Sequence, residues 1–351
     1  MIAGNYIQQK AMPLRHGFFA FGPRVIMVPR GNMPTTDRDV SVSPGEVWPA
    51  LPHAAWAETC ATLQLWMQIV GKIRMTLTPA INQCWNVTLY PTARGLTTLP
   101  MWHRARSVQI DFDFVDHQLL IETADGGLKT IPLKPMTVAE FYRQVISALD
   151  SLGTPVHIRT MPAEIADPIP FDQDQTHKAY DPEYAQRFRH VLLQTTRMFT
   201  EFRARFTGKV SPVHLFWGAL DLACTRFSGR TAPQHPSMPG LPDRVTHDAY
   251  SHEVSSCGFW PGAPGIEPFF YSYAYPEPAG YAAYRLAAGQ GSYNSAFGEF
   301  VLPYEEMRQS ADPDATLLAF LQGTYNAAAD LGKWDRAALE MEPRPRDVTP
   351  S

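Results

Sequence analysis

Two stretches of this chain read alike: W-N-V-T-L-Y-P-T-A-R at 85–94 and W-G-A-L-D-L-A-C-T-R at 217–226. Trp217 follows Trp85 by 132 positions, and Arg226 follows Arg94 by the same 132. Such an echo constrains the fold more than composition does, because it implies two copies of one structural unit in a single chain.

The first copy opens with Trp56, Cys60, Leu63, Met67 and Val70, apolar at steps of three and four, which is one face of a helix that Pro79 ends. Trp85, Val87 and Leu89 then alternate with Asn86, Thr88 and Tyr90, the period of a half-buried strand. A second strand is expected over Val108–Phe114. Asp125-Gly126-Gly127 signals a hairpin between two more. Thr137-x-x-Glu140 is a capping box, opening a helix with the stripe Val138, Phe141, Val145 and Leu149.

After a Pro- and Asp-rich crossing segment the order repeats. Asp181-Pro182 caps a helix carrying Tyr184, Phe188, Val191 and Phe202. Val213–Gly229 reads as one long strand, followed by strands at Ser251–Trp260, Phe269–Tyr275 and Glu299–Tyr304. Asp314 is expected to cap the last helix.

The predicted class is therefore α+β: internally duplicated helix–four-stranded antiparallel sheet–helix units related by a pseudo-twofold, with helices on one sheet face. The domain plan is a poorly structured extension over 1–44, a first repeat over 45–153, a crossing segment over 154–180, a second repeat over 181–335 and a tail over 336–351.

A net charge of −4 argues against a nucleic-acid partner, which needs a basic face to displace phosphate counterions. No apolar run reaches the roughly 18 residues of a membrane span, so no membrane partner is expected. Cys60, Cys84, Cys224 and Cys257 form no CxxC pair and read as reduced thiols of a cytoplasmic protein. No cofactor motif is legible, no oligomeric state is assigned, and no HExxH or similar spacing marks a metal site.

Five long motifs carry a resemblance: W-N-V-T-L-Y-x-T-A-R-G-L-T-T (85–98), P-I-P-F-D-Q-D (168–174), F-W-G-x-x-D-L-A-x-T-R-F-S-G-R (216–230), S-H-E-V-S-S-C-G-F-W-P-G (251–262) and Y-A-Y-P-E-P (273–278). Over roughly residues 46–340 the chain resembles a bacterial family catalogued as domain of unknown function number five-nine-nine-six. The resemblance implies a soluble bacterial protein. It implies no activity, cofactor or catalytic residue.

Strand parity selects the candidate site. Asn82, Asn86, Tyr90 and Arg94 share one face of the first strand. His214 and Arg226, twelve apart, share a face of the long strand, as their 132-residue offsets from Asn82 and Arg94 also imply. Two arginine forks on an open sheet face suit a small, anionic or polar ligand. Tyr271 and Tyr273 would wall that cleft. His214 or His252 is the expected acid–base group, with Glu253 beside it, and Cys257 a candidate nucleophile. The plainer alternative is a solvated face on which Arg94 pairs with Asp111 or Asp113 and Cys257 is a buried thiol. Asp221 has the opposite parity and is expected against the helices, paired with Arg203 or Arg205. Asp172, Asp174 and His177 read as turn chemistry. Together these residues point to an enzyme acting on a small anionic or polar molecule, the alternative being a non-catalytic binding or sensor protein.

Overall fold

The computed structural model describes residues 47–237, 242–287 and 289–342. The expected extension over 1–44 and the end of the tail lie outside these residues.

Helix α1 (His53–Leu77) is the central element of the first half. Every residue from 65 to 74 is buried, so the helix is enclosed on all sides rather than along one stripe. Enclosure obliges its polar side chains to find partners. Gln68 exchanges two 2.8 Å bonds with the Ala163 backbone, and Lys72 donates to the Met161 carbonyl at 2.6 Å. These bonds pin the crossing segment along α1.

Six short antiparallel strands follow: β1 (Tyr90–Pro91), β2 (Gly95–Thr97), β3 (Met101–His103), β4 (Arg106–Asp113), β5 (Gln118–Thr123) and β6 (Leu128–Pro132). Their order is β1-β2-β4-β5-β6, with β3 also on β4. The expected hairpin joins β5 to β6, with Gly126 at φ 88°, a conformation glycine adopts without strain. Helix α2 (Val138–Ser151) is capped as its sequence predicts, Thr137 accepting from the Glu140 amide at 3.1 Å. Phe141 of α2 stacks on Trp66 of α1 at 4.6 Å.

The second half begins with α3 (Pro182–Arg203), which Asp181 caps. Strands β7 (His214–Phe216), β8 (Asp221–Thr231), β9 (His252–Trp260), β10 (Phe269–Tyr275), β11 (Ser292–Asn294) and β12 (Glu299–Pro303) form a sheet of order β11-β12-β10-β9-β8-β7. Helix α4 (Asp243–Ala249) lies between β8 and β9 in the chain, and α5 (Tyr304–Arg308) follows β12. Helix α6 (Pro313–Leu331) packs with α3 on one face of the sheet, and α7 (Arg336–Leu339) ends the described chain. Asp312 caps α6, accepting from the Ala315 amide at 2.9 Å. Asp314, expected in that role, instead accepts from the Trp48 indole and pairs with Arg197.

The class is α+β with two antiparallel sheets, and each sheet has six strands rather than four. The structure does not confirm the expected equivalence of Trp85 and Trp217: Trp85 lies in the turn that follows a 3₁₀ turn (Asn82–Cys84), and Trp217 in the turn between β7 and β8. The two echoing stretches instead touch: Leu89 and Leu215 exchange backbone bonds of 2.9 and 2.8 Å, and the Trp217 indole donates to the Val87 carbonyl at 2.7 Å. No helix among the described residues is long and apolar enough to cross a membrane.

Candidate functional site

Strand β8 alternates small polar with apolar residues, and the register of β9 and β10 extends the alternation across the sheet. Leu222, Cys224 and Arg226 share a face with Phe259, Cys257 and Ser255, turned toward α3 and α6. Asp221, Ala223, Thr225 and Phe227 face the other way, with Gly258, Ser256 and Val254 of β9 and with Tyr271 and Tyr273 of β10. That free face holds a cleft of about 240 Å³. Tyr250, at the end of α4, closes one side. Gln83 and Trp85 reach in from the first half, and Glu164 from the crossing segment.

At the floor Tyr271 donates to Asp221 Oδ2 at 2.6 Å. The phenol reaches there because residue 258 is glycine; a Cβ at that position would overlap the Tyr271 ring. Thr225 and Ser256 hydroxyls meet at 2.8 Å, and Tyr250 and Tyr273 hydroxyls at 3.2 Å. Burial pushes the Asp221 carboxyl up to about 6, against the lowering effect of the Tyr271 bond. Burial and then the nearby Asp221 charge raise Glu164, and the same two causes push Glu299 up to about 7. Glu299 opens β12, next to Phe300, which pairs with Ser272 of β10. The phenols of Tyr271 and Tyr273 are raised well above their ordinary range by burial, so they stay protonated donors. The cleft is therefore acidic, aromatic and rich in hydroxyls. Among the described residues no three His, Cys, Asp or Glu side chains converge as a metal site.

These values set a pH dependence. A carboxyl whose folded value lies above its unfolded value near 4 binds its proton more tightly in the fold. Its contribution is complete below that unfolded value and is lost as pH rises through the folded value. The melting temperature is therefore expected to fall between about pH 4 and pH 7 as Asp221 and Glu299 ionise. A double variant, Asp221→Asn with Glu299→Gln, should flatten that decline in a series of thermal melts. An equal decline in the double variant would assign it to other groups.

A family profile described as a family of unknown function (DUF5996) matches residues 48–341. The chain belongs to this family. No curated protein and no solved structure matches it.

Of the residues selected from sequence, this DUF5996 chain brings Tyr271 and Tyr273 into the cleft. The arginine pair does not form. Arg94 is exposed and bonded at 2.6 Å each to Asp113, which is buried, and to the exposed Asp116. Arg226 is wholly buried on the opposite side of the second sheet. Parity failed because the long strand is broken at 217–220, where Leu220 has φ 63°. His214 pairs with Ala223 across that turn, which puts it on the free-face side, opposite to Arg226. His214 is buried among Trp85, Tyr90 and Phe216, bonded to Thr88 at 3.2 Å. Burial, then Arg74 and Arg203, push it down to about 3, so it is neutral near pH 7.

The other candidates scatter. His252 touches the Ser251 hydroxyl at 3.1 Å, and Glu253 pairs with Arg230. Cys257 is buried on the helix side, 3.3 Å from the Cys224 carbonyl, and burial raises its thiol far from the thiolate a nucleophile needs. Asn82 is exposed and bonded to Gln83, while Asn86 accepts from the Ile81 amide at 3.2 Å. The Tyr90 ring lies under the Arg74 guanidinium. Asp174 accepts from the Thr176 and His177 amides, the turn chemistry expected.

Asp221 is the principal correction. It meets Tyr271 on the free face rather than an arginine under the helices. The D-x-A-x-T run of β8, small and polar at every second place, is the signal that could have placed it. Glu164 carries no such signal, since only the α1 bonds to Met161 and Ala163 bring it to the cleft.

Proposed function

We propose that the free-face cleft binds a small organic cation, such as an amine, with Asp221 as its counter-charge. The single observation that supports this reading is the Asp221–Tyr271 pair, with the Asp221 charge near enough to disfavour ionisation of Glu164 and Glu299. A cation relieves that repulsion and lets the acids ionise. Tyr271, Tyr273, Trp85 and Tyr250 offer ring faces for cation–π contact. An anion would meet raised carboxyls, so the polar half of the expected ligand class is kept and the anionic half is not.

A second, enzymatic reading has its own support. Asp221 pushed up to about 6 is matched to proton transfer near neutral pH. In that reading Asp221 is the acid–base group and Tyr271 orients it.

Calorimetric titration with ethanolamine and choline, against ethylene glycol as an uncharged counterpart, tests the first reading. Asp221→Asn is expected to weaken amine binding by at least about tenfold, some 1.4 kcal/mol. Equal binding of the uncharged compound, or an unchanged affinity in Asp221→Asn, would refute it.

A further inference from the structure

On the helix side of the same sheet a second pocket, about 460 Å³, lies between the end of α3, α6 and the segment 336–342. Three arginines line it: Arg205, Arg226 and Arg336. Arg226 and its chain neighbour Thr225 point to opposite faces of β8, so this pocket is separate from the acidic cleft.

Arg226 is fully buried, yet two of its three guanidinium nitrogens, Nε and Nη1, have no hydrogen-bond partner among the described residues. Its Nη2 donates to the Phe202 carbonyl. Rings fix the cation: Phe202 at 3.5 Å, Tyr325 at 4.3 Å and Phe206 at 4.9 Å. Arg205 Nε is likewise buried without a partner. The carboxylate of Glu340 in the wall is engaged by Arg336, at 2.5 and 3.2 Å, and Arg336 also holds Asp330 at 2.7 Å. No carboxylate among the described residues forms an ion pair with Arg226 or Arg205. A guanidinium held rigid by aromatic rings, with donors left over, is built to receive an acceptor.

We propose that this pocket is an oxyanion site, with Arg226 and Arg205 as its donors and the segment 336–342 as its wall. That segment is tied in place: the Thr207 amide donates to the Leu339 carbonyl at 2.8 Å, and the Met341 amide to the Arg205 carbonyl at 3.2 Å. Phosphoryl and carboxylate groups share the chemistry that such donors recognise.

Thermal unfolding of the full chain in inorganic phosphate, in acetate and in chloride at matched ionic strength tests the proposal. Phosphate at about ten times its Kd is expected to raise the melting temperature by about 2 °C over chloride. The rise should vanish in Arg205→Gln, a half-buried position with no ion pair among the described residues to lose. A rise with acetate as well would keep the site and add carboxylates to its ligands. Arg226→Lys, which keeps a cation in the aromatic box but removes Nε and Nη1, should also lose the rise. It carries the test if Arg205→Gln folds poorly. No rise over chloride, or a rise that persists in both variants, would overturn the proposal.

Discussion

Arg226→Ala is expected to lower the unfolding free energy by about 3–5 kcal/mol, read as a shift of the urea midpoint at constant slope. The truncation opens a cavity beneath Phe202, Phe206 and Tyr325 and removes a desolvated cation–π contact of about 2 kcal/mol. It also leaves the Phe202 carbonyl without its donor. Arg226→Met should recover much of the loss. It restores apolar volume, and a buried charge exchanged for a well-packed neutral chain is often neutral or stabilising. Arg94→Ala is the control: Arg94 is half exposed, its pair with Asp116 is exposed, and the buried Asp113 keeps its bonds from the Val115 and Asp116 amides, so the loss should be about 1 kcal/mol. An Arg226→Ala midpoint no lower than that of Arg94→Ala would show that the aromatic box does not depend on its cation.

Gly71→Ala should destabilise the chain by about 2–4 kcal/mol, although alanine favours a helix by about 1 kcal/mol over glycine. The reason is tertiary. The Trp217 indole lies against Gly71 of α1, and a Cβ there would overlap the ring. Moving the indole also breaks its 2.7 Å bond to the Val87 carbonyl, which ties the β7–β8 turn to the first half. Overpacking costs about 1–3 kcal/mol, and a buried carbonyl left without its donor a similar amount. A more stable Gly71→Ala would mean that Trp217 can leave that position freely.

Both predictions turn on contacts between elements distant in sequence, and the same distance separates what could be read early from what could not. The α2 capping box, the Asp181 cap and the β5–β6 hairpin were legible because each is decided within about four residues. The apolar steps of α3 were legible because burial selects one periodicity, whereas the full enclosure of α1 was not legible from its stripe. The Asp312 cap was missed in favour of Asp314 because both are good capping residues before the same helix, and only the observed backbone tells them apart.

The candidate site was less legible. Tyr271 and Tyr273 were placed in the cleft by period two within one unbroken strand. Parity failed for Arg226 and Asp221, since their faces were taken from His214 and the 132-residue offset, and the four-residue turn after Phe216 resets the alternation. Arg226 instead lies in the core, where three rings face its charge.

The sequence by itself determined the α+β class, the antiparallel pairing and the family, since periodicity, caps, turns and long motifs are properties of contiguous residues. Only the tertiary structure decided which face of the second sheet is free. Only it brought Glu164 to Asp221 and set Arg226 among rings from α3 and α6. Those placements follow from how separate elements pack, and packing joins residues that no local pattern links.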